Sequence, residues 1–113
     1  MAIETRTQDG VQIVTLAGKL GIGPVLDEFN STMHELLGRS DNKIVLNLEE
    51  MKAIDSSGIG ALVRHLTTAK RSGGAIKLYK PSDFVLQTLK MVSLLSLFPA
   101  FQDLPDAVSS FRR

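Results

Sequence analysis

Along the first twenty residues the apolar positions crowd into two β-like runs. They lie between Ile3 and Ala17 and flank Asp9-Gly10, a dipeptide suited to the positive φ angles of a tight two-residue turn. Val11, Ile13, Val14 and Leu16 enrich the second run, so the pattern predicts an opening β-hairpin. Gly18 to Pro24 is glycine-rich and reads as a loop. Beyond it Val25, Leu26, Phe29, Met33, Leu36 and Leu37 recur at helical spacing until Gly38 offers a stop, which predicts an amphipathic helix lying on a sheet.

Lys43 to Leu48 is short, apolar and β-branched, as expected of a strand covered on both faces. Ile54 resumes the apolar run immediately before Asp55-Ser56-Ser57-Gly58, where the strand is expected to end and the chain to turn. Ile59, Leu62, Val63, Leu66 and Ala69 then share one helical face that closes on Lys70-Arg71 and Gly73-Gly74; cations suit a helix C-terminus and glycine suits its cap. Ala75 to Tyr79 predicts another strand. Pro81-Ser82 opens a helix carrying Phe84, Val85, Leu86, Leu89 and Val92. A short edge strand is expected near Leu97–Phe101, and a last helix begins at Pro105 and runs towards Phe111. Strands alternating with helices after a hairpin imply an α/β sandwich whose later strands run parallel.

Composition narrows the function. A chain of 113 residues suits one domain with one core, residues 1–113. Thirteen Lys and Arg against twelve Asp and Glu leave a net charge of +1, so the basic stripe that a nucleic-acid backbone demands is missing. No cysteine is present, which removes disulfides and thiolate metal sites. Neither a leader with a charged start and apolar core nor an apolar run of about 20 residues occurs, so no membrane role is expected and the cytoplasm is the expected compartment.

Catalysis finds little support. The one nucleophile and base worth pairing, Ser57 and His65, lie eight residues apart on a single predicted helix, a rise of about 12 Å. His34 and His65 fall on different helices and read as surface or boundary residues rather than metal ligands. Gly58-Ile59-Gly60 lacks the third glycine of a dinucleotide fingerprint, and no phosphate loop with its lysine is present, so no cofactor is expected. Asp55-Ser56-Ser57-Gly58 offers three side-chain acceptors at a strand-to-helix junction, which helix capping alone would explain.

The run from Ile44 to Val63, IVLNLEEMKAIDSSGIGALV, resembles the signature of STAS domains of the anti-sigma factor antagonist family: a strand, an acidic turn, a D-S-S-G-[IL]-G loop and an apolar helix. The opening hairpin, Gly18-Lys19-Leu20, the Gly73-Gly74 break and Met91 to Phe98 extend the likeness over nearly the whole chain. The resemblance implies a STAS-type sandwich with a mixed β-sheet and about four helices. It implies a regulatory protein, not an enzyme. In that family an anti-sigma factor that is also a serine kinase, with a histidine-kinase-like ATPase fold, phosphorylates the second serine of the pair, here Ser57, and a metal-dependent serine phosphatase reverses it. Asp55, Ser56, Gly58, Gly21 and Ile22 are then expected to support the loop or touch the partner. Asp55 would hold the loop through backbone amides, and Gly58 would let a kinase approach. Relatives commonly carry Asp where this chain has Gly21, which keeps two further readings open: a stressosome-like or adaptor scaffold, and a module serving nucleotide binding or lipid transport.

Overall fold

A computed structural model describes residues 3–112; residues 1, 2 and 113 of the expected single domain lie outside it. Two strands, β1 (Ile3–Gln8) and β2 (Val11–Leu20), form the expected hairpin, with positive φ at both Asp9 (53°) and Gly10 (79°). Then follow α1 (Pro24–Gly38), β3 (Lys43–Ile54), α2 (Ser56–Arg71), β4 (Ala75–Tyr79), α3 (Asp83–Met91), β5 (Ala100–Phe101) and α4 (Leu104–Ser109). Single 3₁₀ turns occupy Leu95–Leu97 and Ser110–Arg112.

The sheet order is β1-β2-β3-β4-β5, antiparallel at β1/β2 and parallel thereafter. This is the expected mixed sheet with four helices. One sheet face packs against α1, α2 and α3, burying Phe29, Met33, Leu46, Leu62, Val85 and their neighbours. On the other face Val11, Ile13 and Val45 form a smaller cluster with Ala107 and Val108 of α4. There the Lys77 ammonium lies 4.1 Å from the centre of the Phe111 ring and donates to Ser110 Oγ at 2.7 Å.

Two boundaries differ from the sequence reading. β2 runs on through Gly18 to Leu20, and β3 is unbroken from Lys43 to Ile54, with no acidic turn at Glu49-Glu50. Register shifts at Thr15/Ala17 and Gly18/Lys19 explain both, because a bulge breaks the period of two while pairing continues. The pairing ends with Leu20 beside Ile54. As β2 and β3 are parallel, the segments leaving their carboxyl ends emerge as neighbours, the position at which open α/β sheets hold their sites.

Candidate functional site

Asp55 caps α2 from an extended conformation, and its Oδ1 accepts the Gly58 amide at 3.0 Å. Its own amide donates to the Leu20 carbonyl at 3.2 Å, tying the start of α2 to the end of β2. The Gly58 amide, opposed by partial desolvation and helped by the amides of Ile22 and Ser57 and the charge of Lys19, holds the Asp55 carboxyl below the ordinary carboxylate range. One ionised side chain thus gathers backbone from both crossover segments.

Ser56 and Ser57 belong to the first turn of α2 rather than to a loop. Ser56 is exposed and Ser57 half-buried, and neither hydroxyl has a hydrogen-bond partner among the described residues. Gly58 differs from its expected role as an open approach for a kinase. It is buried, and a Cβ there would collide with the Leu20 carbonyl and Ile54, so its missing side chain faces the protein. Gly21 is buried too, and a Cβ on it would run into the Asp55 carboxylate. Ile22, next along, is 84% exposed. It borders a shallow groove of about 150 Å³ formed with Lys19, Gly23, Pro24 and Val25.

The expected residues therefore come together: Asp55, Gly58 and Gly21 form the inner support, and Ser56, Ser57 and Ile22 the outer surface. Lys19 and Arg64 were not singled out in the sequence. Lys19 reaches across Gly21 towards Asp55, and Arg64 folds back along α2 to within 3.4 Å of the place a Cβ on Gly60 would take. The signal for Arg64 was its i+4 spacing from a glycine on a helix.

His65 is the clearest correction. It is 4% exposed, not a surface residue; its Nε2 lies 2.7 Å from Asn30 Oδ1, and its ring meets Phe29 and His34 edge-on at 5.4 and 5.6 Å. Since the amide oxygen can only accept, His65 Nε2 carries the proton. Among the described residues no cluster of three or more His, Cys, Asp or Glu could hold a metal ion, and no helix is long and apolar enough to cross a membrane.

Comparison with known proteins gives the following. Residues 2–107 match the family model described as the STAS domain. A Thermotoga maritima protein named as an anti-sigma factor antagonist is 30% identical over 79 residues, 70% of each chain. A crystal structure from the same organism, also named as an anti-sigma factor antagonist, superposes with a TM-score of 0.90 at 26% identity, covering 98% of this chain and 95% of that one. The Bacillus cell fate determinant SpoIIAA, solved in its phosphorylated form, superposes with a TM-score of 0.77 at 17% identity over 98% of this chain and all of that one.

Proposed function

The chain belongs to the STAS domain family, and from that premise we propose that it is an anti-sigma factor antagonist switched by phosphorylation of Ser57. Unphosphorylated, it binds an anti-sigma factor that is also a serine kinase, which frees a sigma factor. Phosphorylated, it lets go until a serine phosphatase restores it. On this reading it is a substrate of enzymes rather than an enzyme, and it works in the cytoplasm beside its kinase.

The observation that carries the reading is the placing of Ser57: a hydroxyl with no hydrogen-bond partner among the described residues, in the first turn of α2, whose backbone amide turns to the same Asp55 carboxylate as the amide of the exposed Ile22. A phosphoryl group brings about −1.5 to −2 charges and three acceptor oxygens. The helix N-terminus tolerates that charge, while Asp55 two residues away and an apolar partner surface over Ile22 oppose it. Modification therefore changes the surface and spares the fold. The relatives support this reading, one by its name and another by having been solved in a phosphorylated form.

Binding of the purified kinase to Ser57→Ala and Ser57→Asp, followed by calorimetry, tests the switch. Ser57→Ala should bind as the unmodified protein does and Ser57→Asp at least tenfold more weakly, both melting within about 4 °C of the parent, a shift of roughly 1 kcal/mol or less. Equal binding by the two variants would sink the mechanism. Ser56→Ala should still take up one phosphate, seen by intact-mass and peptide-mapping mass spectrometry, because the modified hydroxyl is that of Ser57.

A scaffold reading rests on Gly21. The space an Asp side chain would need there is filled by the Asp55 carboxylate, so this site holds one acidic group fewer than the family pattern. No phosphate on Ser57 after incubation with ATP in host lysate, where a control substrate is modified, would favour the scaffold.

A further inference from the structure

Five large apolar side chains stand open to solvent among the described residues, and four of them, Phe84, Met91, Val92 and Leu97, belong to α3 or the chain just after it. Phe84 is 56% exposed and Met91 82% exposed. Helical phase orders this face: Val85 and Leu89 point into the core, placing Gln87 at the centre of the outer face. Phe84 and Met91, seven residues apart, form one flank, and Asp83 and Lys90, also seven apart, form the other. All five of these outer residues are exposed, and neither Asp83 nor Lys90 has an ion-pair partner among the described residues.

This pattern complements itself. If a second α3 is laid antiparallel about a two-fold axis through Gln87, each flank meets its own kind. Phe84 then reaches the partner's Met91, a favourable sulfur–aromatic contact, and Asp83 reaches the partner's Lys90, with both contacts repeated by symmetry. The rise between members of each pair is about 10 Å, so both contacts sit at similar distances either side of the axis. Asp83 and Lys90 also suit their ends of the helix dipole within one chain, but that accounts for neither exposed apolar residue.

We propose that α3 is a homodimerisation face, the occupant being a second copy of this chain in antiparallel register. The proposal is independent of the Ser57 switch. A nine-residue helix falls short of the roughly 800 Å² per partner of a standard interface, so the dimer is weak and depends on concentration.

Sedimentation equilibrium of the full chain from about 1 μM to about 1 mM spans the affinities of such interfaces. The weight-average mass should rise towards two chains. Asp83→Lys or Lys90→Asp alone should weaken association about tenfold, since each turns two attractive pairs repulsive. The double variant should restore it, although it opposes the helix dipole. Met91→Glu should leave a monomer with an unchanged circular dichroism spectrum. A monomer at every concentration, a dimer indifferent to these variants, or failure of the double variant to recover would overturn the proposal.

Discussion

Burial between α1 and α2 brings the His65 imidazole down to about 4, with the charges of His34 and Arg64 adding to the desolvation. Unfolded, the same ring titrates near 6.5. Between those values the unfolded chain binds more protons, so stability should fall as pH drops through that window, by no more than about 1.4 kcal/mol per unit from this group. Urea denaturation at several pH values checks it: His65→Gln, which can still donate to Asn30, should flatten the slope, and an unchanged slope would assign it to other groups. Asp55 acts lower on the scale, its contribution present above the ordinary carboxylate range and lost only on further acidification. Close approach rules Gly58 in the same way that burial rules His65. Gly58→Ala should cost about 1–3 kcal/mol in denaturant melts, because the added methyl must displace the Leu20 carbonyl. The helical phase already marked position 65 as inward, on one face with Leu62, Leu66 and Ala69. What hid it was the ordinary preference of histidine for the boundary, and the Asn30 amide that satisfies it comes from another helix.

Among the elements, helices and hairpin were legible because their signals are local: a 3.6-residue period, an Asp-Gly turn, a serine or aspartate before α2, α3 and α4, and a proline at the start of α1. Ser82 caps α3 by accepting the Val85 amide at 3.2 Å. Ser82→Ala should therefore lower stability by about 1 kcal/mol, read as a shift in the urea midpoint at constant slope. The length of β3 was not legible. Glu49, Glu50 and Lys52 are exposed between the buried Leu48, Met51 and Ile54, and two register shifts scramble their alternation, so a single twelve-residue strand looked like a strand and a turn. Ser57 was already legible as sharing a helix with His65; that the helix starts one residue earlier, at Ser56, was not, since N-cap chemistry marks where a helix starts only to within a residue or two.

At the level of the whole molecule the two sheet faces are unequal. Among the described residues, twenty-two buried side chains knit the sheet to α1, α2 and α3, whereas five hold α4 to the other face. Local opening should follow that inequality. In native-state hydrogen exchange the amides of 107–109 should exchange well before those of 44–48, and equal protection would mean that α4 unfolds only with the rest. The site's location follows from the same architecture, for parallel β2 and β3 end at Leu20 and Ile54 and deliver two crossovers to one edge. Those crossovers contribute separable parts of the candidate site. Asp55, Ser57 and Gly58 come from one, while Ile22 comes from the other and touches little of the core. Replacing an exposed side chain such as Ile22 costs within about 0.5 kcal/mol. On the proposed switch, with Ile22 against the partner, a lineage holding several copies of this gene could therefore diversify the address at residue 22 while the serine chemistry stayed untouched, insulating parallel signalling circuits from one another without rebuilding the domain.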